Sequence, residues 1–308
     1  MNDKLTQLID NLFAFETTGA LLQMDFVRNA LIAAAVIGLV SGMIGPLIVT
    51  RQMSFAVHGT SELSMAGAAF GLLFGIDVGV GGLVGAVVAA VAFGLLGTRI
   101  RERDSVIGAI LAFGLGLSVL FIWLNPDRTS NKFSLLVGQV VSVDTAGISL
   151  LVWSAVVVLA VLAIVYRPLW FASVDPDVAA ARGVPMRMLS MVFAVLIGIT
   201  AAMGVQIVGA LLVLSLLITP AAAAARITSS PLRATVLSVV FAEISVVGGI
   251  ILSLAPGVPV SVFVTTISFA IYVVCRSVAA VRGRRARVHR RPEPATPLSS
   301  EDPESVRA

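Results

Sequence analysis

The chain has 308 residues, 58% of them apolar and only 12% charged, with a formal net charge of +4. Soluble domains carry about 25% charged residues and fewer than about half apolar ones. A water-soluble enzyme is therefore excluded, and an all-α polytopic membrane protein is expected. Most of the excess charge lies in 282–308, which holds seven Arg against four acidic residues. The basic pI thus reports a solvated end beside a membrane, and no nucleic-acid partner is expected.

A spanning helix needs about 20 mostly apolar residues. Such runs fall at 29–50, 56–75, 79–97, 106–124, 148–166, 188–205, 207–225, 235–254 and 260–281. The sixth and seventh are separated only by Gly204, Val205 and Gln206, so eight to nine transmembrane helices are expected. Residues 1–27 form an N-terminal segment, 28–281 the membrane domain, and 282–308 a tail. The first run starts late and follows the acidic stretch from Asp10 to Asp25, which does not suit a cleaved signal peptide. One set of connections carries Arg51; Arg99, Arg101 and Arg103; Arg167, Arg182 and Arg187; Arg226 and Arg233; and finally Arg282 to Arg291. The alternate set carries Asp77 and then Asp127, Arg128, Lys132 and Asp144, with almost nothing near 205 or 254–259. Lys and Arg beside helix ends stay in the cytoplasm, so the C-terminus is expected inside and residues 1–27 outside.

Residues 292–308 contain four Pro among Ser, Glu and Asp, a composition expected to be disordered. The Arg cluster before them reads as a positive-inside stop signal, with contact to anionic membrane lipid as the other reading. Gly67, Gly71, Gly75 and Gly79 recur at spacing four, and Gly38 and Gly42 form another such pair. Small residues at this spacing let helix backbones approach closely where no hydrophobic effect drives association, predicting a tightly packed bundle.

Ionisable groups inside a span cost a few kcal/mol each, which makes each a functional candidate. Three stand out: His58, Glu62 and Glu243. His58 and Glu62 are four apart and share one helix face, near Ser54, Ser61 and Met65. An imidazole and a carboxylate one turn apart are half a site for a divalent metal such as zinc or manganese. A buried His–Glu hydrogen bond that locks two helices fits the pair as well. Glu243 either completes a site or acts as interhelical glue. Asp77 reads as a solvated acid in an outer turn. No phosphate-binding loop, GxGxxG or HExxH motif is present, so an ATP-driven process needs its motor on another chain. The single cysteine, Cys275, has no internal partner.

Arg51-Gln-Met-Ser-Phe-Ala-Val-His58-Gly-Thr-Ser-Glu62-Leu-Ser-Met-Ala-Gly67 resembles the start of the ABC-3 family of zinc, manganese and iron importer permeases. Val208-Gly-Ala-Leu-Leu…Pro220-Ala-Ala-Ala-Ala-Ala-Arg226 is similar to a second segment of that family. Val174-Asp-Pro-Asp-Val-Ala-Ala-Ala-Arg-Gly183 looks like its cytoplasmic element. The matches keep the family's order from about residue 28 to 281. The resemblance implies a permease subunit working as a homodimer with ABC ATPase subunits and an extracellular metal-binding lipoprotein in the cell membrane. The divalent metal would be substrate, with no permanently bound cofactor and no catalysis by this chain.

By the same resemblance, His58 and Glu62 would line the metal pathway. A short cytoplasmic helix at 175–183, with Asp175, Pro176, Ala179 and Gly183, would dock the ATPase. Two departures from the family pattern stand out. Its usual Asp and His fall on His58 and Glu62 here, so acid and imidazole trade places. An Asp-x-Pro near the last span is Gly257-Val258-Pro259 here, which removes a carboxylate. Zinc, manganese and iron are not distinguished by such a pair. An ATP-independent carrier or channel, and an ABC permease for a metal chelate, are the alternative functions.

Overall fold

A computed structural model describes residues 22–96, 100–125, 145–210, 213–254 and 259–289. The expectations for residues 1–21, for Asp127 and Asp144, for Gly257 and for 290–308 lie outside the described residues. All regular structure among the described residues is helical: α1 (Asp25–Thr50), α2 (Ser54–Phe74), α3 (Val78–Leu96), α4 (Ile100–Leu124), α5 (Thr145–Val174), α6 (Pro176–Ala181), α7 (Met186–Val208), α8 (Val213–Leu217), α9 (Thr219–Ile227), α10 (Pro231–Leu254) and α11 (Val260–His289).

Seven helices among the described residues are long and apolar enough to cross a membrane: Asp25–Thr50, Val78–Leu95, Ser105–Leu124, Gly147–Val174, Met186–Gln206, Pro231–Leu254 and Val260–Arg282. α2 is as long as these, with 21 residues, but its Ser, Thr, His and Glu side chains make it too polar to count among them. The apolar run at 207–225 is not one helix. α7 continues past Gln206 to Val208 and stops at Gly209, whose φ of 91° an L side chain rarely adopts. The chain then forms only short helices, α8 and α9, separated by a turn at Ile218. Pro220 near the start of α9 lacks the N–H that would continue a helix through it. The stretch from Arg282 to His289 is the end of α11, so the basic part of the expected tail begins as helix.

Close backbone contact organises the bundle. A Cβ built at Gly67 would overlap the Gly81 carbonyl oxygen and lie 3.0 Å from the Gly85 Cα, so α2 and α3 cross with almost nothing between them. A Cβ at Gly42 would run into the Val239 backbone of α10, and one at Gly45 would meet the Leu217 carbonyl oxygen at 2.6 Å. Gly75 breaks the spacing-four pattern in role. It has open space around it and instead ends α2 in a left-handed conformation at φ 71°. A continuous core runs through α1, α2, α5 and α7 and includes Ile37, Ile44, Leu47, Leu162, Phe193 and Ile197. Large apolar residues such as Trp123, Trp153 and Ile164 are exposed, as suits a surface solvated by lipid chains.

Charge separates along the bundle. Arg51, between α1 and α2, reaches Ser173 near the end of α5 and Ser190 near the start of α7. The Tyr166 hydroxyl of α5 is 2.9 Å from the Thr235 hydroxyl near the start of α10. Arg226 at the end of α9 and Arg276 of α11 both interact electrostatically with the Tyr272 hydroxyl. These contacts place the connections bearing Arg51, Arg167, Arg182, Arg187, Arg226 and Arg233 together at one end. At the opposite end, Asp77, Leu150 and Gln206 converge around Gly79.

Candidate metal site and docking helix

α2 is a largely enclosed polar helix, with Thr60, Ser61, Glu62 and Ser64 all buried. Its hydroxyls largely look after themselves. Thr60 donates to the Ala56 and Val57 carbonyls at 2.9 Å, and Ser61 donates to the His58 carbonyl at 2.8 Å. His58, Glu62 and Ser64 differ from these two: His58 Nδ1, Glu62 Oε2 and Ser64 Oγ are buried without a hydrogen-bond partner. Glu62 is 2% exposed and is the one acidic or basic side chain in the buried class among the described residues. His58 and Glu62 interact electrostatically along their shared face. Buried polar groups are almost always satisfied, so two adjacent ones with spare capacity call for a reason. Neutral imidazole nitrogen and carboxylate oxygen are both metal-ligand atoms, and their pairing suits a divalent transition metal.

The backbone around Glu62 is held by α4. Ser118 donates to the Glu62 carbonyl at 3.2 Å, and Gly114 lets α4 sit against Leu63, whose amide nitrogen would be 3.2 Å from a Cβ there. On the other side of the pair, a Cβ at Gly59 would fall 2.7 Å from the Phe93 ring of α3. The helix bearing the two ligand-type side chains is thus clamped by α3 and α4.

Glu243 does not join them. It lies on α10 against α1, where a Cβ at Gly38 would be 3.0 Å from its carboxylate carbon and Oε1. Its carboxylate lies beside the Leu39 backbone of α1. Among the described residues no three His, Cys, Asp or Glu side chains come together in an arrangement that could hold a metal ion. Asp77 is exposed and caps α3 by accepting from the Val80 amide at 2.9 Å.

The helix expected at 175–183 is α6. Asp175 is its N-cap, accepting from the Val178 amide at 3.0 Å, and Pro176 takes the first helical position, where its missing N–H costs nothing. Gly183, at φ 79°, ends it, while the Val184 amide returns to the Ala179 carbonyl at 3.1 Å. Asp175, Pro176 and Gly183 are exposed. Ala179 is fully buried and turns into the chain, so the alanine run does not offer a uniform surface. The outward face consists of Asp177, Val178, Ala180, Ala181 and Arg182, with the Arg182 guanidinium 5.9 Å from the Phe171 ring.

Sequence reasoning uses Arg51 as an orienting charge and as the first residue of a family-like segment, and assigns its side chain no contact. Its partners are more than a hundred residues away in sequence, so no local pattern reveals them.

Residues 23–279 match the family model of the ABC 3 transport family. The chain belongs to the ABC 3 transport family. Among relatives of this ABC 3 chain, the manganese transport system membrane protein MntC of Listeria monocytogenes is 28% identical over 258 residues, covering 82% of this chain and 92% of MntC. The high-affinity zinc uptake system membrane protein ZnuB of Haemophilus influenzae is 25% identical, covering 74% of this chain and 88% of ZnuB. A solved structure of PsaBC from Streptococcus pneumoniae in complex with Fab superposes with a TM-score of 0.75 at 26% identity, over 84% of this chain and 94% of the matched chain. With its apolar helices, the ABC 3 chain is a multi-pass protein of the cell membrane.

Proposed function

We propose that this chain is the permease subunit of an ATP-driven importer for a divalent transition metal, manganese or zinc, with His58 and Glu62 as transient ligands in its pathway. The observation that carries the reading is the pair of buried, unpartnered ligand atoms, His58 Nδ1 and Glu62 Oε2, one turn apart on α2. Two ligands per chain hold a cation loosely, as conduction requires, since a site must bind well enough to admit an ion and weakly enough to release it. In a homodimer the two copies together offer four. Relatives named for manganese and for zinc transport support both cargoes. Glu243 is assigned instead to holding α10 on α1.

The energy source is a separate ABC ATPase docked on α6 through its outward face, and an extracellular metal-binding lipoprotein delivers the ion. The Arg-rich end of the bundle, with the C-terminus, faces the cytoplasm under the positive-inside rule. Nine passes follow if α2 crosses and the broken pair α8 and α9 carries the chain from the Gln206 end to the Arg226 end. The test is uptake of radioactive manganese and zinc by cells carrying His58→Ala with Glu62→Ala. Loss of uptake at normal protein level is expected, and wild-type uptake at that level would overturn the assignment.

A further inference from the structure

We propose that Arg51 is a positioning residue that transmits motion of α6 to the metal-binding helix α2. The inference rests on the reading of α6 as the ATPase dock. Three observations meet at this side chain. Its guanidinium Nη1 donates to the Ser173 hydroxyl at 3.4 Å and its Nη2 to the Ser190 hydroxyl at 3.2 Å. It also lies 5.4 Å from the centre of the fully buried Phe193 ring. Ser173 is two residues before the cap of α6, and Ser190 and Phe193 are in the opening turns of α7. One guanidinium therefore grips both flanks of the α5–α6–α7 corner. α6 is itself seated in that corner by the buried Ala179.

The other side of Arg51 is stiff. The Arg51 amide bonds to the Leu47 carbonyl at 2.9 Å and the Met53 amide to the Ile48 carbonyl at 3.0 Å. Gln52 sits at φ 54°, rare for a residue with a Cβ, and its side-chain amide donates to the Val49 carbonyl at 3.1 Å. Met53 is buried at the threshold of α2. The corner between α1 and α2 thus has little freedom to absorb a displacement. At a rise of about 1.5 Å per residue, His58 and Glu62 lie about 6 and 12 Å along α2 from its first residue. A shift of α5 and α7 around α6 then moves the two ligand side chains as part of a rigid rod. A planar fork can hold two serines at once, whereas an ammonium is a point donor.

The test uses the tagged chain coexpressed with the ATPase of its own importer, purified as a complex and reconstituted in liposomes with manganese chloride as cargo. Manganese transported per ATP hydrolysed is measured together with ATPase retention. Arg51→Ala is expected to retain the ATPase and hydrolyse ATP normally while this ratio falls about tenfold, within the usual span of coupling between distant sites. Arg51→Lys should recover only part of it. Ser173→Ala with Ser190→Ala should lower the ratio while Arg51 is kept. An unchanged ratio in Arg51→Ala would overturn the proposal, as would loss of the ATPase from that variant. If Arg51→Ala does not accumulate, an unchanged ratio in the double serine variant overturns it instead. Failure of the docking reading is a separate result: the wild-type chain, or one with a bulky residue on the outward face of α6, would show no dependence of ATPase retention on α6.

Discussion

Replacing Glu62 by methionine separates a metal ligand from a structural lock, because the two roles move stability in opposite directions. The side chain is 2% exposed and its Oε2 has no hydrogen-bond partner. Leaving a buried polar group unsatisfied costs about 1–3 kcal/mol, and more if it is charged. Methionine has a similar length, no polar oxygen and enough flexibility to fill the same space. Glu62→Met should therefore stabilise the folded chain by about 1–3 kcal/mol. For a protein of this size each kcal/mol moves the midpoint by about 2–4 °C, giving a rise of about 2–12 °C. Uptake of manganese and zinc should fall by at least about tenfold, since half of the ligand pair is gone. The assays are thermal unfolding of the detergent-purified chain and metal accumulation in cells matched for protein level. A lowered midpoint with uptake retained would refute the reasoning and mark Glu62 as interhelical glue.

Glu243→Gln should leave uptake within about twofold of wild type, because a carboxamide fills the same space against Gly38; metal accumulation checks it. Gly42→Leu should reduce the folded protein recovered from membranes, since any Cβ there meets the Val239 backbone and overpacking costs about 1–3 kcal/mol or more. Val178→Trp and Ala180→Trp, on the outward face of α6, should abolish copurification of an ATPase while leaving the thermal midpoint within a few degrees. Ala179→Trp should instead lower that midpoint, because Ala179 is fully buried; copurification and unfolding measured on the same preparations separate the two behaviours.

Much of the fold is legible in the chain because the bilayer imposes a length of apolar sequence on each crossing. The runs at 29–50, 79–97, 106–124 and 235–254 all coincide with helices to within a few residues at most ends. The run at 207–225 is broken into short helices for a definable reason. Composition does not show that Gly209 takes a positive φ, or that Pro220 opens a new helix rather than sitting within one. Glycine spacing correctly suggests close approach at Gly42 and Gly67, yet the same pattern misreads Gly75, whose value lies in its backbone angle. The helical face shared by His58 and Glu62 follows from spacing alone. That neither His58 Nδ1 nor Glu62 Oε2 has a partner does not, since it depends on what α3 and α4 bring alongside.

By itself the sequence determined that the protein lives in a membrane, where its basic residues gather, and which few ionisable groups must justify their burial. Those conclusions need only transfer energies and helix periodicity, both local properties of the chain. The tertiary structure decided what each of those groups faces. Glu243 is seated against Gly38, Ala179 is turned inward, and Arg51 joins two helices from distant parts of the sequence. Such pairings arise from how helices cross, and the crossing is set by glycines whose effect is felt only when two backbones meet.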